Sequence, residues 1–308
     1  MELMRDQMIR CLKDAQEMIY KQISQIDEKE GRLLPWETTE RNTGGMGCTF
    51  RGGSVIESGC ANLTITSKAP ILKEMASLLP EEYRQNFSKY TFFTAGLSVI
   101  FHPISPLIPS LHANYRYFEI EDDSDHVLTW YFGGGSDLAP SYLFVDDVIH
   151  FHSILKEACD RVDVHFYKEL KKNADEYFYL PHRKEHRGIG GTFAYRLSDR
   201  PQEILFNWIQ DSCKTILTSY LPIIEKRKQI PFSEEQKKWQ LIRRGRYAEF
   251  ILLCDVGVRF GLTSGIANVD NIFMAMPPLA SWDNTFTPKP NSPEEAMMEV
   301  IKKPRDWC

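Results

Sequence analysis

The feature that most constrains the fold of this chain is an apolar run that leads straight into consecutive glycines. Residues 127–132 are mostly aromatic or β-branched, and such a run predicts a buried strand. Gly133, Gly134 and Gly135 follow and predict the end of that strand. Because glycine loses more backbone entropy on folding than other residues, a glycine run indicates unusual backbone angles or a surface that another group approaches closely.

A single carboxylate, Asp137, lies between these glycines and Pro140. An acid beside a flat glycine surface can seat a broad ligand that carries N–H donors at its centre. A tight turn in which Asp137 caps the backbone has the same residues. This stretch alone is compatible with both interpretations, and the rest of the chain has to separate them.

Composition excludes several classes of protein. The chain has 308 residues, a net charge of -5 and no apolar run of the ~18 residues that a membrane span needs, so we expect no transmembrane segment and no nucleic-acid partner. Its seven cysteines form no Cys-x-x-Cys pair, which predicts a reducing compartment and no disulfide framework. We expect a cytoplasmic protein, or a mitochondrial one if a leader has been removed.

The periodicity of the chain predicts a single α+β domain over residues 1–308. Residues 1–27 repeat apolar side chains every three or four positions and predict an amphipathic helix that packs on the body. Predicted strands follow one another like hairpins while the helices come in blocks, which favours an antiparallel sheet. The predicted helices after the glycine run lie at residues 146–162, 166–177, 201–240 and 293–303.

Three segments give less regular patterns. Residues 35–66 are rich in glycine, threonine and asparagine and predict a hairpin or an irregular flap. Residues 243–255 predict a basic turn followed by an apolar strand, and residues 272–276 predict a last strand.

The predicted strand at residues 111–121 carries an unusual face. By strict alternation, His112, Asn114, Arg116 and Phe118 point to one side. Core faces rarely combine histidine, asparagine and arginine, and solvent faces usually carry lysine, glutamate and threonine instead. The pattern favours a row of side chains that faces a ligand, and an edge strand with polar decoration is the alternative.

A basic segment runs into a second glycine-rich turn. Its basic side chains, which stand just before Gly188, Gly190 and Gly191, are His182, Arg183, Lys184, His186 and Arg187. Arginine beside such a turn can grip a carboxylate through two parallel N–H bonds. The segment therefore indicates an anion clamp, and a solvated basic loop is the alternative.

Six motifs, in order along the chain, carry a resemblance to a known family. They are Ser98-Val-Ile-Phe-His-Pro103, His112-Ala-Asn-Tyr-Arg-Tyr-Phe118, Trp130-Tyr-Phe-Gly-Gly-Gly-Ser-Asp-Leu138, His182-Arg183 with Arg187-Gly-Ile-Gly-Gly191, Arg243-Arg-Gly-Arg-Tyr-Ala-Glu-Phe250 and Pro304-Arg-Asp-Trp307. With these motifs the chain resembles the oxygen-dependent coproporphyrinogen III oxidases from about Trp36 to Trp307. A match over nearly the whole chain is far more specific than any one motif.

The resemblance implies a fold and an activity. It implies a large flat antiparallel sheet, of about seven strands, covered by helices on both faces, and a homodimer. It also implies an oxidoreductase of haem biosynthesis that oxidatively decarboxylates two propionates of coproporphyrinogen III to vinyls, giving protoporphyrinogen IX. Oxygen is then the co-substrate, and no organic or redox-metal cofactor is required.

The resemblance also implies the site residues. His112 matches the general acid/base, Asp137 would accept the pyrrole N–H groups, and Arg187 would act with them in catalysis. The implied substrate-binding residues are Ser98, Asn114, Tyr115, Arg116, Gly134, Gly135 and Arg183, with Arg116 and Arg187 as carboxylate clamps. We expect Asp137→Ala to abolish turnover and to leave the fold intact.

A metal site is a further possibility that the family raises. Some members are described with a divalent metal on histidines that match His102, His112, His152 and His182. Spacing along the sequence leaves open whether these four side chains converge.

The chain also departs from the family pattern. The usual Phe-Phe-Asp-Asp-Leu after the glycine turn is Phe193-Ala-Tyr-Arg-Leu197 here, so Tyr195 and Arg196 replace two acids. Val256 and Asn268 stand where the family has arginines. The losses predict either a compensated rearrangement or an altered substrate. A catalytically altered or inactive tetrapyrrole-binding homologue is therefore the alternative function, and a histidine-metal hydrolase on this scaffold is a third.

Overall fold

The computed structural model describes residues 2–38, 42–264, 269–283 and 285–308. Its strands, in chain order, are β1 (Arg32–Thr38), β2 (Thr43–Arg51), β3 (Ile56–Pro70), β4 (Thr91–Pro103), β5 (Ser110–Glu121), β6 (Val127–Ala139), β7 (Tyr179–Leu180), β8 (Glu185–His186) and β9 (Gly190–Leu197). Its helices are α1 (Met4–Ile26), α2 (Val145–Asp160), α3 (Phe166–Tyr177), α4 (Gln202–Arg227), α5 (Glu234–Glu249), α6 (Val256–Ser264), α7 (Val269–Phe273) and α8 (Pro293–Lys302).

Seven of the strands form one antiparallel sheet in the order β1-β2-β3-β4-β5-β6-β9. Strands β7 and β8 make a separate two-stranded ribbon that carries the basic segment. The first six strands of the sheet are neighbours both in sequence and in space. The predicted α+β class, with a large antiparallel sheet, is confirmed.

Helices pack on both faces of this sheet, as predicted. One face packs on α1, α2 and α4 through a large apolar core that includes Leu12, Tyr115, Phe151 and Ile209. The other face packs on α5 through a smaller cluster. Because side chains alternate along a strand, the two faces take different residues from the same strands.

The predicted N-terminal amphipathic helix is α1. Its 23 residues bury Met8, Leu12, Ala15, Ile19 and Ile23, spaced three or four apart on one side. None of these five side chains is more than 4% exposed, because they pack against the sheet. Among the described residues, no helix combines the length and the apolar character that a bilayer span requires.

Of the three less regular segments, one was predicted correctly and two were wrong. Residues 35–66 form successive antiparallel hairpins of β1, β2 and β3, as the hairpin prediction indicated, and β3 extends over 15 residues between β2 and β4. Residues 243–249 belong to α5, and Phe250–Cys254 continues it as a π-helical turn rather than a strand. Residues 272–276 end α7 and form a turn.

The glycine run also differs from its prediction. Gly133, Gly134 and Gly135 lie inside β6, which continues to Ala139 because both of its edges are paired, with β5 and β9. Gly134 has φ 130° in a bulge of this strand, and a Cβ atom there would lie 1.8 Å from the carbonyl oxygen of Asn114. The glycines therefore serve close strand contact rather than a turn.

Candidate active site

A cleft of about 350 Å³ lies over the sheet, on the face away from α1, α2 and α4. Its floor comes from β1 to β5 and comprises Trp36, Thr43, Asn62, Thr64, Thr66, Thr94, Gly96, Ser98, His112, Asn114 and Arg116. Its opposite wall comprises Tyr177, Phe193, Tyr247, Ile251, Asp255, Gly257, Val258, Ile272 and Ala275. A pocket of this volume suits a small organic ligand.

Strand register arranges the floor in rows. His112 of β5 pairs with Asp137 of β6, and Asn114 pairs with Ser98 of β4. Arg116 pairs with Gly96 on one side and Gly133 on the other. The predicted polar face of residues 111–121 therefore faces the cleft, as the alternation indicated.

Asp137 and Arg187 form a buried ion pair at one end of this floor. The guanidinium donates from Nη2 to Oδ1 at 2.6 Å and from Nε to Oδ2 at 2.9 Å. The side chains are 0% exposed for Arg187 and 1% for Asp137. The Arg187 guanidinium also lies over the rings of Phe178 and Phe250, at 4.2 and 4.4 Å from their centroids. Its Nη1 is buried and has no hydrogen-bond partner among the described residues. Arg187 does not line the cleft, so it does not act there as a carboxylate clamp.

The charge of Asp137 is maintained in spite of its burial. Burial by itself raises the pKa of this carboxyl group, but the charge of Arg187 and the hydrogen bonds from His112 and Arg187 outweigh it and hold the pKa below its usual value. Asp137 is therefore ionised at neutral pH. Both its oxygens already accept hydrogen bonds and it does not line the cleft, so it is not the free acceptor that the sequence predicted.

His112 connects this ion pair with the cleft. Its Nδ1 lies 2.9 Å from Oδ1 of Asp137, and 17% of its side chain is exposed. Since an ionised carboxylate only accepts hydrogen bonds, Nδ1 carries a proton and Nε2 is the nitrogen that can exchange one. An imidazole oriented by a buried carboxylate at a cleft wall is an arrangement suited to general acid/base chemistry.

Arg116 supplies positive charge to the floor. Its Nε is buried and has no hydrogen-bond partner among the residues that the structure describes. A Cβ atom at Gly133 would lie 3.2 Å from this Nε and 2.9 Å from the carbonyl oxygen of Tyr195. Glycine at 133 therefore leaves room for the guanidinium to lie across β6.

The other predicted substrate-binding residues divide into two groups. Ser98 and Asn114 line the cleft. Tyr115 points to the opposite face, where its hydroxyl group contacts Ser136 at 2.8 Å, because it has the other parity on β5. Gly134 and Gly135 are buried within β6 and do not line the cleft.

Arg183 belongs to a separate charged cluster around Glu249. It donates two hydrogen bonds to this carboxylate, at 2.7 and 2.9 Å, and His182 contacts the same group at 2.7 Å. Burial raises the pKa of Glu249, but the hydrogen bonds from Arg183 and His182 and the charge of Arg246 lower it to about 2. Arg183 is thus bound to Glu249 and does not line the cleft.

The four histidines of the possible metal set do not converge. His102 contacts Ser110 and the carbonyl oxygen of Ala275, whereas His152 contacts Tyr167 and the carbonyl oxygen of Ile189. His112 and His182 are bound to the carboxylates of Asp137 and Glu249 respectively. Across the described parts of the chain, no three His, Cys, Asp or Glu side chains are placed to hold a metal ion together. These histidines therefore do not fit a shared metal.

The residues that depart from the family pattern lie mostly at the surface. Tyr195 is 45% exposed and Val256 is 43% exposed. The guanidinium of Arg196 lies over the rings of Tyr195 and Tyr131, at 4.7 and 5.6 Å. Asn268 lies outside the described residues.

Sequence reasoning missed several floor residues, among them Trp36, Asn62 and Thr64. All three belong to the segment that was predicted as a hairpin or an irregular flap, and the alternation rule was not applied to it. Its signal was present, because Cys60, Asn62, Thr64 and Thr66 share one face of β3 with period two.

A cleft on an open sheet, with an imidazole backed by a buried ion pair and an arginine on its floor, defines an enzyme that acts on an organic substrate. The comparisons with known proteins agree with this class. The family model for coproporphyrinogen III oxidase matches residues 7–307. The chain belongs to this family, whose members are oxidoreductases.

Named relatives support the assignment over most of the chain. The oxygen-dependent coproporphyrinogen-III oxidase of Francisella philomiragia is 38% identical over 303 residues, 96% of each chain. The mitochondrial enzyme of Homo sapiens is 36% identical over 99% of this chain and 67% of its own length. The chloroplastic enzyme of Glycine max is 40% identical over 86% of this chain and 69% of its own length.

Proposed function

We propose that this protein catalyses the aerobic oxidative decarboxylation of two propionates of coproporphyrinogen III to vinyl groups, which gives protoporphyrinogen IX in haem biosynthesis. The observation that carries the proposal is the position of His112, which lines the cleft while its Nδ1 is bound to the buried Asp137. The names of the relatives, all oxygen-dependent coproporphyrinogen-III oxidases, support the choice of substrate and oxidant.

The reaction balances with oxygen alone as the oxidant. Each propionate loses carbon dioxide together with two electrons and a proton, and a vinyl group remains. One O₂ takes up the two electrons and, with two protons, becomes hydrogen peroxide. A porphyrinogen is electron-rich enough to reduce oxygen once a pyrrole proton is lost, so we propose no organic or redox-metal cofactor.

His112 and Arg116 have the clearest roles in this proposal. His112 exchanges a proton with the substrate through Nε2, since Asp137 fixes the proton on Nδ1. The Arg116 guanidinium binds a propionate, because its Nε is buried on the cleft floor and no described residue pairs with it. Arg187 acts through Asp137, whose charge and orientation it maintains.

The direct test is turnover of purified protein with coproporphyrinogen III. We expect two carbon dioxide molecules per substrate in air and none under argon. A folded protein that releases no carbon dioxide in air would refute the proposal. The alternative, a tetrapyrrole-binding homologue without oxidase activity, is favoured by the exchanges at Tyr195, Arg196 and Val256, and it predicts quenching of tryptophan fluorescence without decarboxylation.

The assembly and the location are also proposals. We propose a homodimer, supported by exposed apolar side chains that cluster in sequence: Leu252, Leu253, Val256, Leu262, Val269, Phe273, Leu279 and Trp282. Exposed apolar surface of this kind is often covered by a protein partner. We propose a cytoplasmic location, or a mitochondrial one if a leader has been removed, and relatives are named as mitochondrial and chloroplastic forms.

A further inference from the structure

Five buried polar atoms of cleft-lining residues have no hydrogen-bond partner within the described part of the chain. Two are acceptors, Oδ1 of Asn62 and Oδ1 of Asn114, two are donors, Nε1 of Trp36 and Nε of Arg116, and the fifth, the hydroxyl group of Tyr247, can donate or accept. Buried polar groups are normally paired, so unpaired atoms that face one cleft indicate a ligand that pairs them.

Strand register separates the acceptors from the donors. Asn62 of β3 pairs with Ser98 of β4, which pairs with Asn114 of β5, so both acceptors lie in one row across the sheet. Arg116 lies in the next row. The two asparagines are two strands apart, so their Cα atoms are separated by about 10 Å. Such a spacing suits a ligand that spans several strands rather than a single small group.

The side-chain oxygen of Asn62 accepts no hydrogen bond from any described residue. On β2 the nearest position is Gly47, where a Cβ atom would lie 3.6 Å from Oδ1 of Asn62. Only 5% of Asn62 is exposed, so bulk water reaches this amide poorly. Its acceptor therefore remains available to a ligand in the cleft.

The obvious anion of the site cannot take this place in the described arrangement. Asp137 is 1% exposed and both its oxygens accept hydrogen bonds from Arg187 and His112. A ligand with central N–H groups thus donates hydrogen bonds to the neutral amide oxygens on the floor. If the same ligand carries ionised carboxylates at its rim, these accept hydrogen bonds from the unpaired donors, because ionised carboxylates only accept.

We infer that Asn62 is a substrate-positioning residue, whose side-chain oxygen accepts a hydrogen bond from a pyrrole N–H of the tetrapyrrole. The inference rests on the proposed function and adds a contact to it. Together with Asn114, it holds the centre of the ring system over the β3–β5 floor while Arg116 binds a carboxylate at the rim.

The test compares Asn62→Leu and Asn62→Asp with the wild type. We expect N62L to raise the KM for coproporphyrinogen III about fivefold, with a smaller change in kcat, because one neutral hydrogen bond is lost. We expect N62D to keep the KM within about threefold, since a carboxylate still accepts. N62L should unfold at the same temperature as the wild type or higher, because this acceptor has no partner in the described part of the free protein.

Gln16→Leu is the matched control, because Gln16 is a buried amide on the other face, where it donates to the carbonyl oxygens of Met46 and Ala61. It should lower stability and leave the KM unchanged. If N62L does not fold, Asn62→Ala replaces it with the same expected rise in KM.

Three results would overturn the inference. An unchanged KM in N62L would exclude the proposed hydrogen bond. A larger rise of the KM in N62D than in N62L would show that Asn62 donates to a substrate carboxylate instead. If the wild type has no turnover, the proposed function fails, but the role of Asn62 can still be tested by substrate binding. The dissociation constant of coproporphyrinogen III is then measured without oxygen by tryptophan quenching. Equal dissociation constants for wild type and N62L, or no binding by either protein, would reject the proposed contact.

Discussion

Arg187 binds both carboxylate oxygens of Asp137, at 2.6 and 2.9 Å, and neither side chain is more than 1% exposed. Asp137 in turn lies 2.9 Å from Nδ1 of His112 at the cleft wall. Arg187 therefore fixes the position of Asp137, and Asp137 fixes the orientation of the His112 imidazole. A buried pair also makes each partner depend on the other, because removing one leaves the other charged and unpaired.

This dependence changes what Asp137→Ala should do. We expect the substitution to lower the free energy of unfolding by about 3–5 kcal/mol, since it leaves Arg187 buried without its counter-ion. Urea unfolding followed by circular dichroism measures the loss. The sequence alone predicted an intact fold, so activity loss in this variant has to be read together with its stability.

The double variant Asp137→Ala/Arg187→Met provides the control. It removes both charges and should recover part of the lost stability, so that the coupling energy in a double-mutant cycle is large. Additive effects of the two single substitutions would contradict the energetic importance of the pair.

Arg116→Gln should weaken substrate binding. We expect the KM for coproporphyrinogen III to rise about tenfold, because a charge-assisted hydrogen bond to a propionate is lost. Steady-state kinetics at constant ionic strength measures the change. Arg161→Gln is the matched control, since Arg161 is exposed and pairs with Asp211. Equal KM values for the two variants would exclude a propionate on Arg116.

Glu119→Gln should stabilise the protein at neutral pH. Burial and the charge of Glu121 raise the pKa of Glu119 more than the hydrogen bond from Tyr117 and the charge of Arg5 lower it. A carboxyl group whose pKa is higher in the folded state favours folding only below its unfolded pKa, and this contribution is lost as the pH rises through the folded pKa. Ionised Glu119 therefore costs stability at pH 7, and glutamine removes that cost.

Thermal unfolding at pH 4, 5.5 and 7 checks this prediction. The variant should unfold at a higher temperature than the wild type at pH 7, and the difference should vanish towards pH 4. Glu176→Gln, at an exposed site on α3, should show no such dependence. A destabilised Glu119→Gln at pH 7 would mean that the ion pair with Arg5 outweighs the burial.

The proposed homodimer can be tested at its apolar surface. Leu253 is 58% exposed and Phe273 is 46% exposed, both in the apolar group between residues 252 and 282. We expect Leu253→Glu/Phe273→Glu to convert a dimer into a monomer, because charge on a buried interface is strongly unfavourable. Sedimentation equilibrium measures the mass, and Val164→Glu, at a 71% exposed site elsewhere, serves as the control. An unchanged dimer mass would assign the interface to another surface.

Periodicity predicted those elements whose two sides face different surroundings. Helix α1 was predicted because one side of it is apolar, and that side packs on the sheet. The polar side of β5 was predicted because His112, Asn114 and Arg116 alternate with apolar residues. In both cases, burial on one side leaves a pattern that can be read in a single segment.

Apolar segments without a clear alternation gave wrong predictions. The run Phe250–Cys254 is apolar, but it continues α5, where Arg243 and Arg244 are buried against Glu185 and Glu57. In an apolar run that follows buried arginines, the hydrophobic period does not distinguish a strand from a helix. The secondary structure of this segment depends on its contacts with distant parts of the chain.

The sequence by itself determined the class of the fold, the family and the polar row of β5, because these depend on local alternation and on motifs that keep their order. Only the tertiary structure decided what Asp137 and Arg187 do, since they are 50 residues apart and meet because β6 and β9 bring them together. It likewise placed Asn62 on the cleft floor. Contacts between distant residues follow from how strands pair, and no single segment records that pairing.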